Sequence, residues 1–348
     1  MGREDASRGD RDASAAAGRL KLSRRRQAFE RAAAENPAYP GGHEGDGIVI
    51  CAGGVEYFTC AFILIGVLRR VLNCRLPIEV WHIGRDEMSP EMAALLADLG
   101  NVRIVDAKDF TRYFPHPRLY GWELKPYAVA HSRFKRVLLL DADNIPARDP
   151  AFLFDFARQT HRSAVFWPDF EALNWTRKVW NYAGLQPLHR VTFESGQLLI
   201  DKSQCWAPLM LALHMNENSD FWFEHIHGDK DTFFLAWIKL GAPYGMPRFA
   251  ATHHASTIYQ YDFDGAVLFQ HRHAAKWQYV GDNPHCARFQ HERECFKFLR
   301  ELRKAWDGRI YEDDPIPEAK PRHPITAAHL SGGAGLPSEP SGIAAAPR

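Results

Sequence analysis

Short apolar runs alternate with helix-forming stretches along the first half of the chain. Each run is rich in Val, Ile and Leu and ends at Gly or Asp, which predicts buried strands at 47–52, 77–83, 102–105 and 136–140. Helices are predicted between them, at about 55–73, 89–100 and 125–132. Because strand and helix alternate, the sequence predicts an α/β fold with a largely parallel sheet and helices on its faces.

The second half of the chain is less regular. It predicts a strand near 197–200 and helices near 206–215 and 230–240. The head, 1–45, is rich in Arg and Ala, and the tail, 313–348, in Pro, Gly, Ser and Ala. Both are predicted to be disordered, with a helix around 20–35 inside the head. The predicted organisation is therefore one folded domain at 46–312 between two tails.

Charge and composition narrow the class of protein. The net charge is +1, from 43 Lys and Arg against 42 Asp and Glu, which argues against a nucleic-acid-binding protein. The most apolar stretch, 58–68, is shorter than the ~20 residues of a transmembrane helix. The six cysteines form no C-x-x-C pair, which favours free thiols and a cytoplasmic location. A basic run at 21–26 is either a solvated helix face or a weak contact with an anionic membrane surface.

The sharpest chemical feature follows the predicted strand 136–140, where the chain reads Asp141-Ala142-Asp143. Ligands of open α/β sheets bind beyond the carboxyl ends of the strands. Two carboxylates placed there can share a divalent cation, which removes their mutual repulsion and neutralises a diphosphate. The alternative is a solvent-exposed acidic turn that caps the next helix.

A haloacid-type phosphatase also places two acids at a strand end, as D-x-D-x-[TV]. Here Asn144 and Ile145 follow the aspartates, and the later G-D-x-x-N-D run of that class is missing from the sequence. The phosphatase is therefore a minor alternative.

Residues 121–154 resemble the retaining nucleotide-sugar glycosyltransferases of the GT-A fold. The resemblance is closest to the alpha-mannosyltransferases of glycosyltransferase family 71 and more distant to the glycogenin-like family 8. It covers about 46–282, and its most specific parts are 125–127, 138–146 and 194–197. It implies a GT-A fold, in which a Rossmann-like, mostly parallel central sheet flanked by helices forms a single catalytic domain.

The resemblance also implies roles for the residues at the strand ends. Asp141 and Asp143 match the Asp-x-Asp motif, which binds a Mn²⁺ or Mg²⁺ ion together with the donor's diphosphate and ribose. Lys125 matches a lysine that approaches the donor, although a salt bridge is as good an interpretation. The expected seat of the nucleotide base consists of Ala52, Gly53, Gly54 and Tyr57.

Residues 194–197, Glu-Ser-Gly-Gln, precede a predicted strand and are expected to touch the donor. Gly196 permits close approach of a sugar, and Glu194 and Gln197 can hydrogen-bond its hydroxyls, with Ser195 between them. Glu194 is also the best candidate for a carboxylate facing the anomeric carbon. Retaining transfer by a nucleophile and by front-face attack both remain open.

The last candidates lie further along the chain. Asp229 and Asp231 open a predicted helix and are expected to hold the donor sugar, with a helix N-cap as the alternative. The stretch 269–277 resembles the segment that completes the cation site in family 8, although it lacks the Gly and Pro found there. His271 is favoured over His273 as the third metal ligand, and Lys276 would then face the diphosphate.

Together these features predict a metal-dependent retaining glycosyltransferase that moves a hexose from a nucleotide-sugar to a glycan hydroxyl. The resemblance favours mannose from GDP-mannose. A UDP-glucose or UDP-galactose transferase of the family 8 type is the alternative within the class. Outside it, the alternatives are the phosphatase and a catalytically silent glycan-binding module.

Overall fold

The larger sheet is built from the apolar runs that the sequence singled out. A computed structural model describes residues 22–174, 176–315, 317 and 318. Six strands form this sheet: β1 Asp46–Cys51, β2 Ile78–His82, β3 Val102–Asp106, β4 Arg136–Asp141, β6 Ala164–Ala172 and β7 Val191–Asp201. Their order is β3-β2-β1-β4-β7-β6. The first four strands are parallel, and β7 is antiparallel to both β4 and β6.

Helices cover both faces of this sheet because side chains alternate along each strand. Within β1, Ile48 and Ile50 belong to one apolar core and Val49 to the other. The first core includes side chains of α2 Gly54–Arg70, α3 Pro90–Ala97, α6 Phe152–Gln159 and α11 Glu292–Ala305. The second includes side chains of α5 Leu124–His131, α8 Lys202–Glu217 and α10 Asp229–Leu240. Single turns of helix lie at α4 Ala107–Phe110, α7 Val179–Tyr182 and α9 Ser219–Trp222.

This mixed α/β architecture with a mostly parallel central sheet confirms the predicted fold class. The predicted start of α3 is also confirmed, because the Ser89 side chain accepts a hydrogen bond from the Met92 backbone N–H and Pro90 is the first helical residue.

A smaller antiparallel sheet, which the sequence did not predict, lies beside the end of β4. Its strands are β5 Asn144–Pro146, β8 Thr252–His254, β9 Thr257–Tyr261 and β10 Val267–His271, in the order β5-β10-β9-β8. β5 starts three residues after β4 ends, and in its pairing with β10 His271 lies opposite Asn144. This register brings the end of β10 next to the Asp141–Asp143 turn.

Part of the head that was predicted to be disordered is folded against the domain. Residues 22–35 form a helix, α1, as the sequence predicted for 20–35. Its Phe29 is fully buried, with its ring centroid 4.9 Å from that of Trp222. Arg25 pairs with Asp220 at 3.0 Å, so one arginine of the basic run already has a protein partner. Residues 1–21 and nearly all of the predicted tail lie outside the described residues.

No helix in the described ranges combines the length and the apolar character that crossing a bilayer requires.

Candidate active site

A cavity of about 740 Å³ opens at the carboxyl ends of β1 and β4. These strands end side by side, with Cys51 in register with Asp141. The cavity is lined by Asp141, Asp143 and His271, and by residues from α5, β7 and the start of α10. It therefore lies where ligands of open α/β sheets bind.

Asp141, Asp143 and His271 form the centre of this cavity. Each offers a ligand atom, and these atoms all lie within 4.8 Å of one another. His271 Nε2 is 3.1 Å from Asp143 Oδ1 and 3.8 Å from Asp141 Oδ2. Lys276 Nζ lies 2.6 Å from the other oxygen of Asp143. The structure thus groups His271 with the two aspartates.

Burial and charge oppose each other at Asp143, which is only 2% exposed. Burial alone would raise the pKa of this carboxyl, but His271 and Lys276 outweigh it and hold the pKa well below its usual range. Burial likewise would lower the pKa of His271, yet Asp143, Glu194 and Asp141 raise it. The cluster therefore concentrates opposite charges in a nearly dry site.

The residues of this cluster fit a divalent cation. Two carboxylates and one imidazole are a donor set typical of Mn²⁺-class ions and acceptable to Mg²⁺. His271 Nδ1 lies 3.7 Å from Glu194, so the ring has a carboxylate behind it while Nε2 faces the aspartates. At this distance the contact is electrostatic and not a hydrogen bond.

Lys125, at the start of α5, joins three segments. Its Nζ lies 2.8 Å from Asp141 Oδ1, 3.5 Å from Asp229 Oδ2 and 3.4 Å from Ser195 Oγ. Burial would lower its pKa, but Asp141 and Asp229 raise it, so the ammonium stays charged. The salt bridge considered from the sequence is present, and it lies in the cavity lining.

The two aspartates of α10 have different surroundings. Asp229 lines the cavity, and burial raises the pKa of its carboxyl while Lys125 lowers it. Asp231 instead accepts a hydrogen bond from the His227 backbone N–H, at 2.8 Å, beside the pair of Lys230 and Asp169. Of the two, Asp229 is the one that the structure brings to the cavity, where Lys125 lies between it and Asp141.

Residues 194–197 divide between the cavity and its support. Glu194 and Ser195 line the cavity, and Glu194 Oε1 accepts a hydrogen bond of 2.8 Å from the Gly196 N–H. Burial raises the pKa of Glu194, while His271 lowers it. Gln197 is fully buried and accepts a hydrogen bond from Asn144 Nδ2 at 2.6 Å.

The structure explains why position 196 is a glycine, which the sequence did not reveal. A Cβ at this position would lie 2.6 Å from His271 Nδ1, so only the missing side chain lets the imidazole pack here. Asn144 was also missed. Its amide holds β5 to β7 by donating to the Gly196 carbonyl at 2.8 Å.

The predicted seat of the nucleotide base lies at the end of β1. Ala52, Gly53 and Tyr57 line the cavity. Gly54 instead starts α2 with φ of 66° and donates its N–H to the Glu87 carbonyl at 2.8 Å. The Glu87 side chain lies across Gly53, where a Cβ would come 2.3 Å from Glu87 Oε2. Glu87 also lines the cavity and was not predicted from the sequence.

His273 lines the cavity but does not belong to the group of Asp141, Asp143 and His271. Its Nε2 is 2.9 Å from His253 Nε2, and burial together with the charge of His271 lowers its pKa to about 3. It is therefore neutral and paired with a second imidazole.

Part of the chain matches a known protein family. Residues 45–191 and 181–272 match the model of the Mannosyl_trans3 family, which is described as a family of mannosyltransferases.

Individual curated relatives are also mannosyltransferases. Alpha-1,2-mannosyltransferase MNN24 of Candida albicans is 29% identical over 58% of this chain and 34% of its own length. Alpha-1,2-mannosyltransferase MNN2 of Saccharomyces cerevisiae is 26% identical over 56% of this chain and 40% of its own length. The chain thus spans well under half of these relatives. The structure of the mannosyltransferase Ktr4p from S. cerevisiae superposes with a TM-score of 0.44 and 13% identity, over 70% of this chain and 81% of that one.

Proposed function

The chain belongs to the mannosyltransferase family that its residues 45–272 match, and on that premise we propose that it transfers mannose from GDP-mannose to a glycan hydroxyl. The transfer retains the anomeric configuration and uses a divalent cation, Mn²⁺ or Mg²⁺. The catalytic domain that carries it is predicted to span 46–312.

One observation carries this proposal: β10 brings His271 to Asp141 and Asp143 at the mouth of the parallel sheet. The three residues would hold the cation. When bound, the cation would offset the charge of the donor's diphosphate.

The residues around the cluster supply the rest of the charge balance. Lys125 and Lys276 are both cationic, because neighbouring carboxylates raise the pKa of each. Both line the cavity, where they stabilise negative charge that develops on the leaving diphosphate. Asp229 and Glu194 remain the candidates for contacts with the donor sugar. Asp231 is a weaker candidate, because its carboxylate binds the His227 N–H.

Glu87 supports a guanine base at the end of β1. Guanine presents two adjacent donors, N1–H and the 2-amino group, whereas uracil presents one N–H between two carbonyl oxygens. A carboxylate accepts hydrogen bonds and donates none when ionised, so it suits guanine better. Its position across Gly53, in the cavity lining, favours GDP-mannose over a UDP-hexose.

The test incubates the protein with GDP-mannose, UDP-glucose or UDP-galactose, with methyl α-mannoside as acceptor and with Mn²⁺, Mg²⁺ or a chelator. We expect GDP release and an α-mannosyl product, identified by NMR, only with GDP-mannose and a cation. UDP release would favour the family 8 alternative, and inorganic phosphate the phosphatase. Glycan binding without metal or nucleotide, and without product, would favour a silent module. A cytoplasmic location stays a prediction.

A further inference from the structure

Aromatic rings are exposed at one side of the cavity, where solvent would normally select polar side chains. Trp122 is 52% exposed and Tyr120 is 78% exposed, and both line the cavity that contains Asp141, Asp143 and His271. Exposed apolar surface of this kind marks binding sites when it is contiguous with a groove.

Trp122 is held in place from behind. Its ring centroid lies 6.1 Å from that of Phe223 and 6.4 Å from that of His227, and the His227 ring is stacked on it. Gly228 has φ of 68°, and a Cβ there would lie 2.7 Å from Trp122 Cε3. A glycine is required for both reasons, and it leaves room for the indole. The ring is therefore fixed although half of it faces solvent.

Trp122 is held by the same two segments that carry Lys125 and Asp229. The Trp122 carbonyl accepts a hydrogen bond from the Lys125 N–H at 3.1 Å, and Gly228 directly precedes Asp229. Lys125 Nζ in turn contacts Asp141 and Asp229. The ring thus stands beside Asp229 at the start of α10, whereas the expected base seat stands beside Glu87 at the start of α2.

We propose that Trp122, with Tyr120, is the platform on which a pyranose ring of the acceptor glycan stacks. This inference rests on the proposed function and names its acceptor site. One face of a mannose ring is lined by C–H groups and packs on an indole, while its hydroxyls need polar partners. His227, whose ring lies beside that of Trp122, and Lys230, which pairs with Asp169, also line the cavity and can hydrogen-bond those hydroxyls. The combination of a fixed ring and polar groups suits a sugar better than a purely apolar ligand.

Binding of a sugar tests the platform without catalysis. We would titrate α-1,2-mannobiose into the protein in the presence of Mn²⁺ and GDP and follow it by saturation-transfer NMR. Three variants are compared: Trp122→Ala, Trp122→Phe and the control Tyr113→Ala. Tyr113 is 80% exposed on the same loop but is not among the cavity-lining residues. We expect roughly tenfold or greater weakening in Trp122→Ala, partial rescue in Trp122→Phe, and no change in Tyr113→Ala.

Kinetics separates the acceptor site from the donor site. In Trp122→Ala the KM for mannobiose should rise, while the Kd for GDP stays at the parent value. Equal mannobiose affinity in parent and Trp122→Ala would overturn the inference and leave the transferase standing. Weaker GDP binding in Trp122→Ala would overturn it as well, because the ring would then contact the nucleotide. A parent that binds mannobiose through Trp122 but releases no GDP from GDP-mannose would instead overturn the proposed function alone.

Discussion

The buried carboxylate of Asp143 is the residue on which the site depends most. It contacts His271 on one oxygen and Lys276 on the other, and these two neighbours lower its pKa despite its burial. Burying an ionised acid beside a second aspartate carries a large desolvation free energy, which cationic partners or a bound cation must offset. This makes Asp143 the most informative position for substitution.

Asp143→Asn keeps the shape of the side chain and removes its charge. We expect the fold to persist and the rate of GDP release to fall on the order of 10² to 10³-fold, because one electrostatic element of the site is lost. Steady-state kinetics with Mn²⁺ and GDP-mannose gives the rate. The matched control is Asp262→Asn, since Asp262 is equally buried and pairs with Arg148 at 2.6 Å. Near-parent activity in Asp143→Asn would refute the metal assignment.

Glu87→Gln tests which base the cavity recognises. A hydrogen bond between a charged acceptor and a ligand donor contributes about 1.5–3 kcal/mol, so the parent should bind GDP roughly tenfold or more tightly than inosine diphosphate, which lacks the 2-amino group. In Glu87→Gln the two nucleotides should bind about equally. Calorimetry with both measures the ratio. An unchanged ratio would show that Glu87 does not contact the base.

Strand ends made part of the site predictable from the sequence. Asp141 and Asp143 come at the end of an apolar run, and ligands of open α/β sheets bind beyond such strand ends. The surroundings of Gly196 and Gln197 were not predictable, because both contact residues that are distant along the chain. Asp231 contacts a backbone N–H of the preceding loop, which no sequence pattern reveals. The exposure of Trp122 depends on packing against Phe223 and Gly228, which leaves no local pattern.

At the scale of elements, α5 is fixed at its carboxyl end by a buried lysine. Lys202 is fully buried, and its Nζ contacts the carbonyls of Ala130 at 3.2 Å and Ser132 at 2.6 Å. These carbonyls lack partners within the helix. The lysine therefore anchors the helix whose other end carries Trp122 and Lys125.

Lys202 also predicts how stability depends on pH. Burial lowers its pKa to about 7, while in the unfolded chain it titrates near ~10.4. Between these values the unfolded state binds the Lys202 proton more tightly, so the contribution of Lys202 to the free energy of unfolding should rise with pH, by on the order of 3 kcal/mol. In Lys202→Met this rise should disappear, although the variant is less stable because two carbonyls lose their donor. Urea unfolding from pH 7 to about 10 measures both. A parallel pH dependence in the two proteins would contradict the prediction.

The predicted helices and strands differ from the observed ones mainly in the second half of the chain. Strands β1, β2 and β4 were recognisable because they are buried on both faces. β3, at the edge of the sheet, is less buried and was recognisable from its apolar residues alone. β5 and β8 have three residues each, too few for a periodic pattern. β5 also pairs with β10, a segment that is distant in the sequence. Short strands held by long-range pairing are the elements that a single sequence reveals least.

Helix α1 offers a test of where the folded domain begins. Phe29→Ala should lower the free energy of unfolding by about 3–5 kcal/mol, because a fully buried phenylalanine leaves a cavity. Arg24→Ala, on the exposed side of the same helix, should change it by no more than about 0.5 kcal/mol. Chemical denaturation compares them. Equal stabilities would place the start of the domain after α1, as the sequence had suggested.

Across the whole molecule, the site joins parts that otherwise pack separately. Asp141 ends a strand of the large sheet and His271 ends a strand of the small one. Lys125 starts a helix of one core, and Tyr57 lies in the helix that covers the other. A ligand bound between them stabilises the domain as a unit.

We therefore expect Mn²⁺ and GDP to stabilise the protein cooperatively. Mn²⁺ alone should shift the Tm little, and both together should shift it by more than the sum of the separate shifts, since the diphosphate contributes further ligands. A ligand at about 100 times its Kd stabilises a protein by about 2.7 kcal/mol. Thermal shift with each ligand and with both measures this. Additive shifts would indicate independent sites.

Because β5 pairs with β10, which is synthesised much later, the candidate site cannot form until β10 has left the ribosome. The ribosome releases Asp141 and Asp143 well before His271 and Lys276, and domains fold as their segments emerge. Until β10 and the residues after it are synthesised, Asp143 lacks its contacts with the His271 imidazole and the Lys276 ammonium. A nascent chain that stalls before His271 lacks one of the three residues that would hold the cation, and it is expected to be catalytically silent even where its parallel strands have already paired.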